Sequence, residues 1–95
     1  MSYYVYCLAN ATNVAIHAGI TNDLLRRVGE HRSHADPRSF TARYDISKLV
    51  YFEETSDPYS AIQREKQIKS WNRARKNKMI SAFNPTWDDL YDRLI

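Results

Sequence analysis

Tyr3-Tyr4-Val5-Tyr6-Cys7-Leu8, the turn-forming residues Ala9-Asn10-Ala11-Thr12-Asn13, and then Val14-Ala15-Ile16-His17-Ala18-Gly19-Ile20: the reading of this opening decides the fold. The first run is aromatic and β-branched, the composition of a buried strand. The second run, 14–20, has the same character. A short polar loop between two such runs favours an antiparallel hairpin. Side chains alternate along a strand, so Tyr4 and Tyr6 share one face and Tyr3 points to the other.

Downstream, Thr21, Asn22 or Asp23 offers an N-cap for a helix running to about Arg32. Leu24 and Val28, four residues apart, form its apolar stripe, and Gly29 weakens it by ~1 kcal/mol relative to Ala. Residues 33–46 read as polar and irregular, and 47–54 as a third strand. Ser56-Asp57-Pro58 is a helix start, a capping residue followed by Pro at the first helical position. That helix reaches about Trp71, with Ala61, Ile62, Ile68 and Trp71 spaced for one face. A further helix covers 72–82 and ends before Asn84-Pro85. Thr86 is placed to cap a final short helix through Leu94. The order β-β-α-β-α-α, with this last short helix after it, describes an α+β domain, a small three-stranded antiparallel sheet flanked by helices.

The chain has 95 residues, enough for one domain over 1–95 and too few for two cores. Its 43% hydrophobic and 26% charged residues argue against disorder. No apolar run approaches the ~18 residues of a membrane helix, and Met1-Ser2-Tyr3-Tyr4 lacks the basic and apolar regions of a signal peptide. A single cysteine, Cys7, excludes an intramolecular disulfide and a cysteine-built zinc site, so the expected compartment is reducing and cytoplasmic. With 2 Gly and 3 Pro, most of the chain is expected in regular elements.

The net charge of +3 is unevenly distributed. Residues 64–78 hold seven basic side chains (Arg64, Lys66, Lys69, Arg73, Arg75, Lys76, Lys78) against Glu65 alone, and the rest of the chain is slightly acidic. So dense a block suits a polyanion; the alternative is a solvated helix face. Arg27 and His31, four apart, share a helix face beside the Leu24/Val28 stripe. An arginine there can present a planar fork to phosphate or pair with Asp23 or Glu30, and spacing alone leaves both open. Glu65 borders the apolar face of its helix, where a carboxylate needs either a cation such as Lys69 or a metal.

Taken together, Tyr4-Val5-Tyr6, ten intervening residues, His17-Ala18-Gly19, Thr21-Asn22-Asp23-Leu24 and Arg26-Arg27 resemble the GIY-YIG nuclease superfamily. The resemblance continues through Lys48-Leu49-Val50-Tyr51-Phe52-Glu53, Arg64-Glu65-Lys66-Gln67-Ile68-Lys69-Ser70-Trp71 and Asn84-Pro85-Thr86-Trp87, nearly the whole chain. It is greatest to the short stand-alone bacterial members. The resemblance implies two tripeptides on the first two strands, an arginine on the first helix and a metal-binding glutamate on a later one. Residue by residue, it implies Tyr6 as the first-tripeptide tyrosine, Gly19 as the second-tripeptide glycine, Arg27 as the phosphate-binding arginine and His31 as the helix histidine. Glu65 falls at the ligand position for one Mg²⁺ or Mn²⁺, and Asn84 is matched to a late asparagine of the family.

The sequence departs from the pattern at two places. Tyr4 replaces a glycine, and His17 replaces the second-tripeptide tyrosine, implicated in the family as proton acceptor or water positioner. Histidine, with an ordinary pKa of ~6.5, suits proton acceptance near neutrality better than a phenol at ~10. The implied activity is metal-dependent endonucleolytic hydrolysis of DNA, in repair or recombination. Arg27, Arg64, Lys69, Arg73, Arg75 and Lys76 would contact the backbone, and selectivity would come from DNA structure, a homodimer or a targeting protein. Two other readings stay open: a catalytically weakened nucleic-acid-binding module, favoured by His17, and a basic surface for an acidic protein partner.

Overall fold

The computed structural model describes residues 1–94. Strand β1 (Tyr3–Ala9) lies at the centre of a three-stranded sheet, with β2 (Ile16–Thr21) on one side and β3 (Lys48–Thr55) on the other, both antiparallel to it. The helices are α1 (Leu24–Arg32), α2 (Phe40–Arg43), α3 (Pro58–Ser70) and α4 (Arg73–Phe83), followed by a 3-10 turn over Leu90–Arg93. This is the expected α+β architecture, with one short helix more.

Alternation along the central strand builds two cores. Tyr6 and Leu8 face Leu24 and Val28 of α1, together with Ile46, Leu49 and Leu90. Val5, Cys7 and Ala9 face Ala61 and Ile68 of α3 and Ile80 of α4. The sheet is therefore a middle layer, and β1 is apolar on both sides because both sides are covered. Cys7 is fully buried, and burial pushes its thiol up to about 12.

The helix starts follow from side-chain caps. Asp23 Oδ1 accepts the N–H of Arg26 at 3.2 Å, Asp57 Oδ1 that of Tyr59 at 3.1 Å, and Asn72 Oδ1 that of Arg75 at 2.9 Å. Where boundaries differ from the sequence reading, local bonds explain why. The second strand begins at Ile16, since Asn10 closes a wider turn through its own backbone and by accepting the N–H of Ala15 on Oδ1 at 3.1 Å. Val14 is left exposed. Ile62 is 39% exposed, so the buried face of α3 is centred on Ala61 and Ile68. Within 33–46, Ser39 caps α2, accepting the N–H of Ala42 at 3.2 Å. The last turn is capped by Asp89, not Thr86, and is 3-10 in geometry.

Pairing between β1 and β3 slips by one residue: Cys7 faces Tyr51 and Leu8 faces Leu49, which leaves Val50 opposite no partner. Such a bulge frees backbone groups that must be satisfied elsewhere. Asn84, itself buried, donates from Nδ2 to the Val50 carbonyl at 3.1 Å and the Asp88 carbonyl at 2.9 Å, and accepts the Asp88 N–H at 3.2 Å. Asp89 Oδ1 accepts the Leu49 N–H at 3.1 Å.

Gly19 pairs with Tyr6, whose ring lies across the glycine. A Cβ at position 19 would meet Tyr6 Oη at 2.6 Å and Cζ at 2.7 Å. This is a close-approach glycine, required by a neighbouring side chain and not by a positive φ. Gly19→Ala is expected to cost about 1–3 kcal/mol through overpacking, read from urea unfolding. A variant as stable as the wild type would mean that the phenol does not rest on the glycine.

Candidate active site

The register that sets Tyr6 against Gly19 also sets Leu8 against His17, so His17 and Gly19 face the α1 side of the sheet with Tyr6. Leu24 and Val28 anchor α1 over that face, which brings His31 onto the phenol. His31 Nε2 lies 3.3 Å from Tyr6 Oη, and the His17 and His31 rings are 5.7 Å apart, centre to centre. His31 is only 6% exposed, and its Nδ1 lies 2.8 Å from Thr41 Oγ1. Arg27, one turn earlier on α1, places its guanidinium beside the phenol and pairs with Glu30 at 3.2 Å. Both open readings of Arg27 therefore have a basis: it has its local carboxylate, and it stands at the cluster. The exposed pair with Glu30 is weak and readily exchanged.

Glu65 comes from α3, which packs on β2 and β1 from the other layer. Its charge is felt by both Tyr6 and His17. The side chain is 20% exposed and its cation is Lys69, at 3.5 Å. Among the described residues, no three His, Cys, Asp or Glu side chains converge as a metal cage. The donor set is one hard carboxylate oxygen, partly exposed and paired with Lys69. That fits Mg²⁺ or Mn²⁺ kept largely hydrated and completed by substrate oxygens, and does not fit a tightly held structural ion.

The electrostatics keep the three rings uncharged. Burial raises the Tyr6 phenol, with Arg27 opposing the rise. Burial, reinforced by Lys69 and Arg27, lowers His17. Burial, reinforced by Arg27 and His17, lowers His31 to about 4. At neutral pH the site thus holds a protonated phenol and two neutral imidazoles next to fixed cations.

The basic segment does not form one face. Lys69 sits beside Glu65 on the His17 side. Arg73 holds the β1–β2 turn through the carbonyls of Asn13 and Val14. Arg64 turns the other way, to Glu53 of β3 at 2.8 Å and Gln67 at 2.7 Å. Arg64 and Arg75 both stack on the Trp71 ring, at 5.2 and 4.2 Å from its centre. Lys76 is half-buried, near enough to Cys7 for its charge to act on the thiol. Asn84 is engaged at the β3 bulge and is not among the groups gathered at Tyr6. Thr41 and Ser39 were missed in the sequence because a four-residue helix has no periodicity; Ser39 as a cap was the only signal.

A family model described as the GIY-YIG catalytic domain matches residues 2–79. The chain is 33% identical over 79 residues to a UPF0213 protein of Natronomonas pharaonis, covering 83% of this chain and 91% of that one. It is 29% identical over 90 residues to a UPF0213 protein of Desulfotalea psychrophila, covering 95% and 81%. The solution NMR structure of a UPF0213 protein from Bacillus halodurans superposes with a TM-score of 0.55 at 26% identity, over 86% of this chain and 85% of that chain.

The neutral, buried His31 makes stability depend on pH. Its folded pKa lies below its ordinary value, so between about pH 6.5 and 4 the unfolded chain binds the extra proton. Stability is full above that window and falls as pH drops through it, by roughly 3 kcal/mol at the limit. The urea midpoint should fall from pH 7 to 4.5, and His31→Gln should flatten that fall. An equal slope in both proteins would show that His31 titrates freely.

Proposed function

The chain belongs to the GIY-YIG catalytic domain family, a family of nucleases, and on that premise we propose that it hydrolyses DNA phosphodiester bonds with one divalent ion held by Glu65. The observation that carries this reading is the meeting of Tyr6, His17, His31 and Arg27 on one face of the sheet with the charge of Glu65 reaching them from the other layer. A binding module has no use for a carboxylate there, since it would repel the backbone.

Each group has a task suited to its state. Arg27 exchanges Glu30 for a non-bridging phosphate oxygen, a charge-assisted bond in a planar fork. His17, neutral because burial and nearby cations lower its pKa, takes a proton from the attacking water as the water oxygen bonds to phosphorus and the P–O bond to the leaving oxygen breaks, that oxygen taking its proton from solvent. Tyr6 retains its proton and orients the reacting oxygens through Oη, held by His31. Glu65 would hold Mg²⁺ or Mn²⁺, which when bound supplies positive charge to the phosphate and the leaving oxygen. Lys69 lies on the site side of α3 and extends the cationic surface along the backbone. Arg64 and Arg75, gathered on Trp71, belong to a second basic surface that meets DNA only if the substrate wraps past the site. Preference among duplex, branched or nicked DNA then rests on the shape of the substrate or on a partner.

The test is cleavage of labelled duplex, branched, nicked and single-stranded DNA, with RNA beside them, in Mg²⁺ or Mn²⁺ against chelator. Cutting is expected to need metal, to vanish in Glu65→Gln and to fall about 10²–10³-fold in kcat in Arg27→Ala. Cutting by Glu65→Gln at the wild-type rate overturns the metal assignment. Binding without cutting in every condition overturns the nuclease reading and leaves a nucleic-acid-binding module, with His17 marking the lost reaction.

A further inference from the structure

His31 is buried between two hydroxyl groups that come from different elements. Tyr6 Oη, from β1, is 3.3 Å from Nε2, and Thr41 Oγ1, from α2, is 2.8 Å from Nδ1. Thr41 is 3% exposed. Its hydroxyl also lies 3.3 Å from Ser39 Oγ, and its carbonyl accepts the N–H of the fully buried Ile46 at 2.8 Å. Four residues are too few to make a helix by propensity. α2 exists because Ser39 caps it and Ile46 anchors its exit in the core, and that fixes where the Thr41 hydroxyl stands.

Hydrogen bookkeeping then selects one arrangement. A neutral imidazole has one N–H and one lone pair. Arg27, the cation beside the phenol, can only donate to it. The phenol hydrogen therefore needs an acceptor, and His31 Nε2 is the one within reach. With Nε2 accepting, Nδ1 must carry the hydrogen, and the group positioned to receive it is Thr41 Oγ1. The Thr41 hydroxyl hydrogen then points to Ser39 Oγ. The opposite tautomer would set Nε2–H donating to Oη beside a guanidinium that can only donate, with the phenol hydrogen turned away from every group that holds the ring.

We infer that Thr41 is a positioning residue: its hydroxyl fixes His31 in the Nδ1–H tautomer, and His31 thereby holds the Tyr6 hydroxyl in a single orientation. The consequence for rate rests on the nuclease reading of the site; the tautomer does not. This gives the polar segment 33–46 a task at the site that no side chain on the sheet or on α1 performs.

Nitrogen-15 NMR of the histidine rings tests the inference directly in the full chain without substrate. The wild type should show His31 Nδ1 as a protonated and Nε2 as an unprotonated nitrogen at neutral pH. Thr41→Val, nearly the same shape without the hydroxyl, should lose that pattern, and Thr41→Ser should keep it. In cleavage, Thr41→Val should lower kcat about 10-fold or more with KM unchanged, and Thr41→Ser should restore it. A protonated Nε2 in the wild type overturns the inference, whether or not the valine variant folds. So does a Thr41→Val spectrum with the wild-type pattern. A wild type with the expected tautomer that cuts nothing leaves the inference standing and removes the nuclease reading alone.

Discussion

The Tyr6 ring resting on Gly19 is the contact on which the rest of the molecule is arranged. A side chain at position 19 would stand where the phenol is, so the glycine lets the ring lie down toward the sheet's β2 edge. That brings Oη to His31, and the bond between them offsets the desolvation of a buried hydroxyl. The antiparallel register of β1 and β2 then carries His17 to the same face, two residues from Gly19. A one-residue slip would turn all of these side chains to the wrong layer.

Around that contact the chain places cations next to rings that are kept neutral. Arg27 and Lys69 depress the imidazoles, and burial does more. Neutral imidazoles are the form that can accept a proton, while fixed cations suit an incoming phosphate. The Trp71–Asn72 junction separates α3 from α4, and charges that run together in sequence fan out across two helices. Lys69 is delivered to the site, whereas Arg64 and Arg75 are gathered around an aromatic ring on the β3 side.

What the sequence made legible follows the strength of local signals. The first strands were readable as aromatic and aliphatic runs joined by a short polar turn, and α1 and α3 because Asp23 and Asp57 are capping residues, whereas Asn72, the cap of α4, was read as the first residue inside that helix. The gathering of Tyr6, His17, Arg27 and His31 was legible as the order of a known pattern and as helix spacing. Less legible was everything decided by long-range contact. Thr41 reaches His31 from a helix of four residues. Asn84, matched by resemblance to a site position, serves a bulge that no local pattern announces. The split of the basic run depends on Glu53, on the neighbouring strand, and on Trp71, which lies at the break between two helices and so draws Arg64 and Arg75 together from either side.

The central strand also carries a natural recorder of its own departures from the sheet. Cys7 has no exposed surface, and its thiol is pushed up to about 12, so the thiolate that reacts with alkylating agents is nearly absent from the folded chain. Once β1 leaves the sheet, the sulfur regains ordinary acidity and access together. Because β1 pairs with both neighbours, such an excursion separates the two cores from one another. The rate at which a thiol reagent consumes Cys7 would thus count whole-domain openings, not surface fraying.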